Sequence, residues 1–94
     1  MTTRGRKTIA SRILEDLKEE STEEACYLVL YDFKKKTSLY FYKNLHVIQE
    51  TLGDGVRIQA SVIQCKYART AKAIEKLAKH YGAHALVFKA EPVE

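Results

Sequence analysis

Residues 56–67 read VRIQASVIQCKY, and whether this is one strand or two decides the fold. Val56, Ile58, Ala60 and Val62 alternate with Arg57, Gln59, Ser61 and Ile63, the period of a β-strand. Twelve residues is long for one strand. No Asn-Gly or Asp-Gly turn pair interrupts it, but a bend near Ala60 and Ser61 would make two short strands. With the split, the chain reads βαββαβ, a ferredoxin-like sandwich. Without it, the core is a shortened, three-stranded βαβαβ. Either way the class is α+β, with helices packed on a sheet and an extra N-terminal helix.

On the N-terminal side, residues 25–33 hold the run Tyr27, Leu28, Val29, Leu30 and Tyr31. An unbroken run of β-formers suits a central strand covered on both faces. A polar block, residues 32–37, ends it. Thr37 or Ser38 caps a helix running to about Leu52, with the apolar stripe Phe41, Leu45, Ile48 and Leu52. Tyr40 and Tyr42 flank the stripe, where core packing competes with base stacking and is preferred. Gly53 and Gly55 stop this helix. Further upstream, Ile9, Ile13, Leu14 and Leu17 mark one face of a helix over residues 8–20. Thr8 caps its start, while Glu19 and Glu20 close it badly against the helix dipole. The polar basic start, residues 1–7, contributes Arg4, Arg6 and Lys7, which gather with Arg12 at the helix front. Residues 1–24 therefore form a basic arm and helix, and residues 25–94 the α/β domain.

On the C-terminal side, a helix is expected from about Ala68 to His80 or Tyr81, with core positions Ala71, Ile74, Leu77, Ala78 and Tyr81. Its outer stripe is Arg69, Lys72, Lys76 and Lys79. Gly82 ends the helix, residues 83–90 form the last strand, and Pro92 stops it.

The 94 residues make one small domain, 46% apolar, with a net charge of +4. On so small a body, surplus apolar surface favours a dimer interface. The charge is uneven: residues 15–24 are acidic, and residues 66–89 hold six cations against Glu75. A basic segment suits an anionic partner such as DNA or RNA, although a stripe of this kind is more often a plain solvated helix face. No run reaches the ~18 apolar residues of a membrane span. The basic start lacks a signal peptide's apolar stretch. Cys26 and Cys65 belong to no metal-binding or redox motif and read as buried reduced thiols. A cytoplasmic location is expected. His46 reads as a lone surface histidine. His80 and His84 are separated by Gly82 and do not share a helix face, so metal-ligand spacing is not met.

There is no phosphate-binding glycine loop, GxSxG or HExxH; Gly53, Asp54 and Gly55 form a turn. The one site-like feature is Asp32, at the C-terminal end of a central strand and followed at once by Lys34, Lys35 and Lys36. Ligands favour that edge of open sheets. A single carboxylate makes a poor Mg²⁺ site, but a two-fold dimer would bring two copies of Asp32 together. Capping of the following turn, or pairing with the three lysines, is the plainer role.

The strand ending Tyr31-Asp32-Phe33 and the later Gln59-Ala60-Ser61-Val62 resemble motifs of the small CRISPR-associated proteins that accompany the integrase in spacer acquisition. The VapD-type ribonucleases share that fold. The likeness covers about residues 25–92. It implies a ferredoxin-like homodimer with Asp32 as the catalytic and metal-binding acid in members that cleave RNA or DNA. Other members serve only as nucleic-acid-binding scaffolds. Ser61 matches a motif position near Asp32. Three features depart from the family: lysines stand where arginines are usual after the aspartate, Ile63 stands where an aromatic is usual, and the leading helix has no counterpart.

Function is expected to take one of three forms. The first is a nucleic-acid-binding homodimer contacting phosphates through Lys34, Lys35, Lys36, Arg57, Arg69, Lys72 and Lys76. The second is a Mg²⁺- or Mn²⁺-dependent endonuclease using paired Asp32. The third is a protein-interaction module whose helix 8–20 docks its apolar stripe on a partner.

Overall fold

The computed structural model describes residues 8–17, 24–91 and 93. Seven elements follow in order: α1 (Ile9–Asp16), β1 (Cys26–Asp32), α2 (Leu39–Leu52), β2 (Val56–Gln59), β3 (Val62–Cys65), α3 (Ala68–His80) and β4 (His84–Ala90). The strands form one sheet in the order β2-β3-β1-β4, antiparallel throughout. This is the βαββαβ ferredoxin-like topology, open at both edges and preceded by a helix.

The 56–67 stretch is therefore a hairpin, not one strand. It turns at Ala60 and Ser61, with Gln59 opposite Val62 and a register irregularity between Arg57 and Gln59. Neither turn residue has a positive φ, so the primed turns that match strand twist are absent; the irregularity supplies the extra twist. β1 holds the turn from the side. The Tyr31 hydroxyl donates to the Ala60 carbonyl at 3.0 Å, and the Tyr31 amide to the Ser61 carbonyl at 3.1 Å. Tyr67 lies beyond the strand, as the N-cap of α3.

Val29, Tyr31, Ile63, Cys65 and Ala85 face the helices and are buried. Against them pack Phe41, Leu45 and Ile48 of α2 and Ala71, Ile74, Leu77 and Ala78 of α3. Phe41 is the centre of an aromatic group, with ring centroids 5.4 Å from Tyr31, 5.0 Å from Phe33 and 5.2 Å from Tyr42. Ser38 caps α2 by accepting from the Tyr40 amide at 3.0 Å, and Gly53 closes it at φ 62°. Burial and the neighbouring Asp54 and Cys26 push the Cys65 thiol up to about 12, which makes it a poor nucleophile. Cys26 is half-buried, and both cysteines are free thiols.

Two expectations change. The first helix ends at Asp16, with Leu17 as its extended C-cap, because Glu15 and Asp16 already oppose the dipole in the last turn; residues 18–20 lie outside the described residues. Its apolar stripe is docked within the chain. Ala10 and Ile13 are buried, Ile9, Leu14 and Leu17 pack on the core, and the Ala10 amide donates to Asn44 Oδ1 of α2 at 2.9 Å. The stripe therefore gives no reason to invoke a partner. The larger correction concerns β1, which is central but covered on one face only. The helices share one side: α3 packs on the sheet, α2 lies against α3 and reaches the sheet through Phe41 against Tyr31 and Tyr42 under Arg57, and α1 lies against both. Among the described residues, no element packs on the opposite face.

Candidate functional site

Strand register shows what the bare face carries. Val62, Leu30 and Leu86 form one row across β3, β1 and β4; Gln64, Leu28 and Phe88 form the next. Leu30 is 37% exposed, Leu86 59% and Phe88 48%, with Val56 and Ile58 exposed on the adjoining β2. Contiguous exposed apolar surface makes this face a candidate interaction surface.

At one end of this face stands Asp32. It is exposed, and its cross-strand neighbour is His84 on β4. The two side chains share the face and line a pocket of about 280 Å³ with Leu30, Ser61, Val62 and Leu86. Among the described residues no hydrogen bond or ion pair engages the Asp32 carboxylate: Ser38 caps the helix that follows, and the three lysines line a separate groove. Neither of the plainer roles for Asp32 is seen. His84 was legible only as a histidine beyond a glycine; its place beside Asp32 depends on antiparallel register, which the local sequence does not display.

Lys34, Lys35 and Lys36 are exposed in the loop after β1. With Phe33, Tyr81 and Gly82 they line a groove of about 310 Å³. α3 runs toward this groove: it starts after Cys65, opposite Tyr27, and ends before His84, opposite Asp32. Its exposed Lys76 thus lies in the half nearer the lysine loop. Lys79 is there too, held to Glu75 at 3.1 Å.

The other expected cations lie apart. Lys72 is exposed further back on α3. Arg69 is half-buried at the start of α3, its guanidinium 5.4 Å from the centre of the Tyr67 ring. Arg57 is on the opposite edge strand, 5.3 Å above the Tyr42 ring. The seven residues therefore come from three places: the loop after β1, the helix α3, and, for Arg57 alone, the edge strand β2. Of the cations expected on the N-terminal helix, Arg12 is exposed, while Arg4, Arg6 and Lys7 lie outside the described residues. His46 bonds Glu50 at 2.9 Å on the exposed side of α2.

No protein-family model, no curated protein and no solved structure matches this chain. The described residues contain no group of three or more His, Cys, Asp or Glu side chains placed to hold a metal. One Asp32 and one His84 do not fit a Mg²⁺ ion, which takes near-octahedral oxygen coordination. No described helix is long and apolar enough to cross a membrane.

Sequence reasoning missed the part played by Asp54. Its Oδ1 accepts from the Gly55 amide at 2.9 Å and the Lys66 amide at 2.8 Å; its Oδ2 accepts from the Tyr67 amide at 3.1 Å. Tyr67 has no side-chain capping bond of its own. Asp54 therefore supplies, from a distant turn, the carboxylate that the positive end of α3 favours. The residue belongs to the scaffold that orients the basic helix.

Proposed function

We propose that this protein is a homodimeric nucleic-acid-binding protein, similar in kind to the small CRISPR-associated spacer-acquisition proteins. The observation that carries this reading is the placement of the lysine loop. Three exposed lysines open onto a groove at the end of α3, beside the end of the bare apolar face. The apolar face suits a second copy, because a two-fold axis sets the same patch against itself. The cations would then track phosphates around the joined body.

Binding should be salt-dependent and largely independent of sequence. In a salt titration with generic DNA and RNA, the triple change of Lys34, Lys35 and Lys36 to Ala should flatten the log–log slope by about 2–3, roughly 0.9 for each phosphate no longer neutralised. Absence of binding by the intact protein at low salt, or a slope unmoved by the triple change, would exclude this reading.

The pairing of Asp32 with His84 favours a second reading, metal-dependent endonuclease activity. A two-fold mate would double the carboxylates. With waters and phosphate oxygens, the pair would meet the coordination demand of Mg²⁺ or Mn²⁺ that one chain leaves unmet. Asp32→Asn should abolish metal-dependent cleavage while leaving the binding isotherm and the melting curve unchanged. Cleavage that persists in this variant would remove Asp32 from the chemistry.

A further inference from the structure

Tyr40 and Tyr42 flank the same buried stripe, but their surroundings differ sharply. Tyr42 is half-buried: its ring lies against Phe41 at 5.2 Å and under the Arg57 guanidinium. Tyr40 is 65% exposed, and the preceding Leu39 is 75% exposed. Core packing therefore accounts for Tyr42 and leaves Tyr40 unexplained. The Lys43 ammonium sits 5.7 Å from the Tyr40 ring centre.

Tyr40 is also tied to the lysine groove. The Asn44 amide nitrogen donates to the Tyr40 carbonyl at 2.7 Å and to the Tyr81 hydroxyl at 3.3 Å. Tyr81 lines the groove together with Lys34, Lys35 and Lys36. The Asn44 carbonyl oxygen is fixed in turn by the Ala10 amide of α1. The start of α2 is thus braced against α1 and α3, so that the exposed Leu39 and Tyr40 stand in the first turn that follows the lysine loop, and the Tyr40 carbonyl shares the Asn44 amide with a residue lining the groove.

We infer that Tyr40 is a stacking platform for an unpaired base, and that the lysine-loop groove takes single-stranded nucleic acid in preference to duplex. This rests on the nucleic-acid reading above and adds the strandedness of the ligand. A cationic groove with an adjoining aromatic ring combines the two elements of single-strand binding: phosphates meet the lysines and a splayed base meets the ring. In a duplex the bases are stacked inside, so the ring has nothing to receive and only the lysines act. Leu39 is exposed beside it in the chain, and Lys43 holds a further cation over one face of the ring, so a base would stack on the other.

The test uses the full chain with a labelled oligothymidylate and a duplex of equal length, read by fluorescence anisotropy. Tyr40→Ala should weaken single-strand binding about ten-fold or more, as expected for one lost stack. It should leave the duplex isotherm and the salt slope unchanged, and Tyr40→Phe should keep near-native affinity. The chain has no tryptophan, so Tyr40→Trp adds a single emitter whose fluorescence should be quenched by the single strand and not by the duplex. Equal losses on both ligands in Tyr40→Ala, or unquenched emission at saturation, would overturn the inference. Lysine-dependent binding that ignores Tyr40 would refute the platform alone; no binding by the intact chain would refute the nucleic-acid reading as well.

Discussion

Asp54→Ala is expected to lower folding stability by about 2–4 kcal/mol, which for a domain of this size corresponds to a melting temperature lower by about 10–25 °C. The carboxylate accepts from three backbone amides, of Gly55, Lys66 and Tyr67. Hydrogen bonds to a charged acceptor are stronger than neutral ones. Alanine leaves the part-buried Gly55 and Tyr67 amides without partners, gives the exposed Lys66 amide to water, and removes the negative charge from the start of α3. Native domains have only about 5–15 kcal/mol to lose, so this loss is large. Asp54→Asn retains one acceptor oxygen but turns an amide NH2 toward the remaining donors, and its stability should fall between those of the parent and Asp54→Ala. Urea unfolding of the three proteins checks this. A midpoint for Asp54→Ala near that of the parent would show that the turn rearranges or that water replaces the carboxylate.

The second large effect is expected at the bare face. If two copies meet there, Leu86→Asp should raise the dimer dissociation constant by about four orders of magnitude. Burying one leucine contributes about 1.5–3 kcal/mol, and placing a carboxylate in the same interface adds a desolvation cost. In a two-fold interface each change occurs twice. A total of about 6 kcal/mol is roughly four factors of ten. Leu86 is already 59% exposed in the single chain, so its replacement should leave the melting of the dissociated monomer nearly unchanged. Val47→Asp is the control, since Val47 is exposed on α2, on the helical side of the sheet. Light scattering across a concentration series separates the outcomes. A monomeric parent at high micromolar concentration, or a dimer indifferent to Leu86→Asp, would exclude this face as the interface and leave Asp32 without a second carboxylate.

Much of the candidate site is visible along the chain, and what is hidden is hidden for identifiable reasons. Lys34, Lys35 and Lys36 are consecutive and follow a strand end, so their placement in a surface loop needs no long-range information. Arg57 groups with them by charge alone, but charge ignores which edge of the sheet a strand occupies. Tyr40 and Tyr42 lie symmetrically about Phe41 on the helix surface, so periodicity alone cannot separate them. Their difference comes from β2, which brings Arg57 over the Tyr42 ring and not over Tyr40. His84 meets Asp32 only after β4 crosses back beside β1 with a particular register.

By itself the sequence determined the helices, the apolar strands and their order, because amphipathic period, capping residues and glycine stops are local properties of the chain. Ser38, Gly53 and the stripe from Phe41 to Leu52 do this for α2 with no help from elsewhere. Only the tertiary structure decided three matters: that residues 56–67 fold back as a hairpin, that α1 lies against α2 and α3, and that one face of β1 is left bare. An Ala-Ser turn carries no intrinsic preference and is held by Tyr31 of another strand. An apolar run encodes only that it avoids water. Whether a helix or a second molecule covers each of its faces depends on where the remaining elements find room.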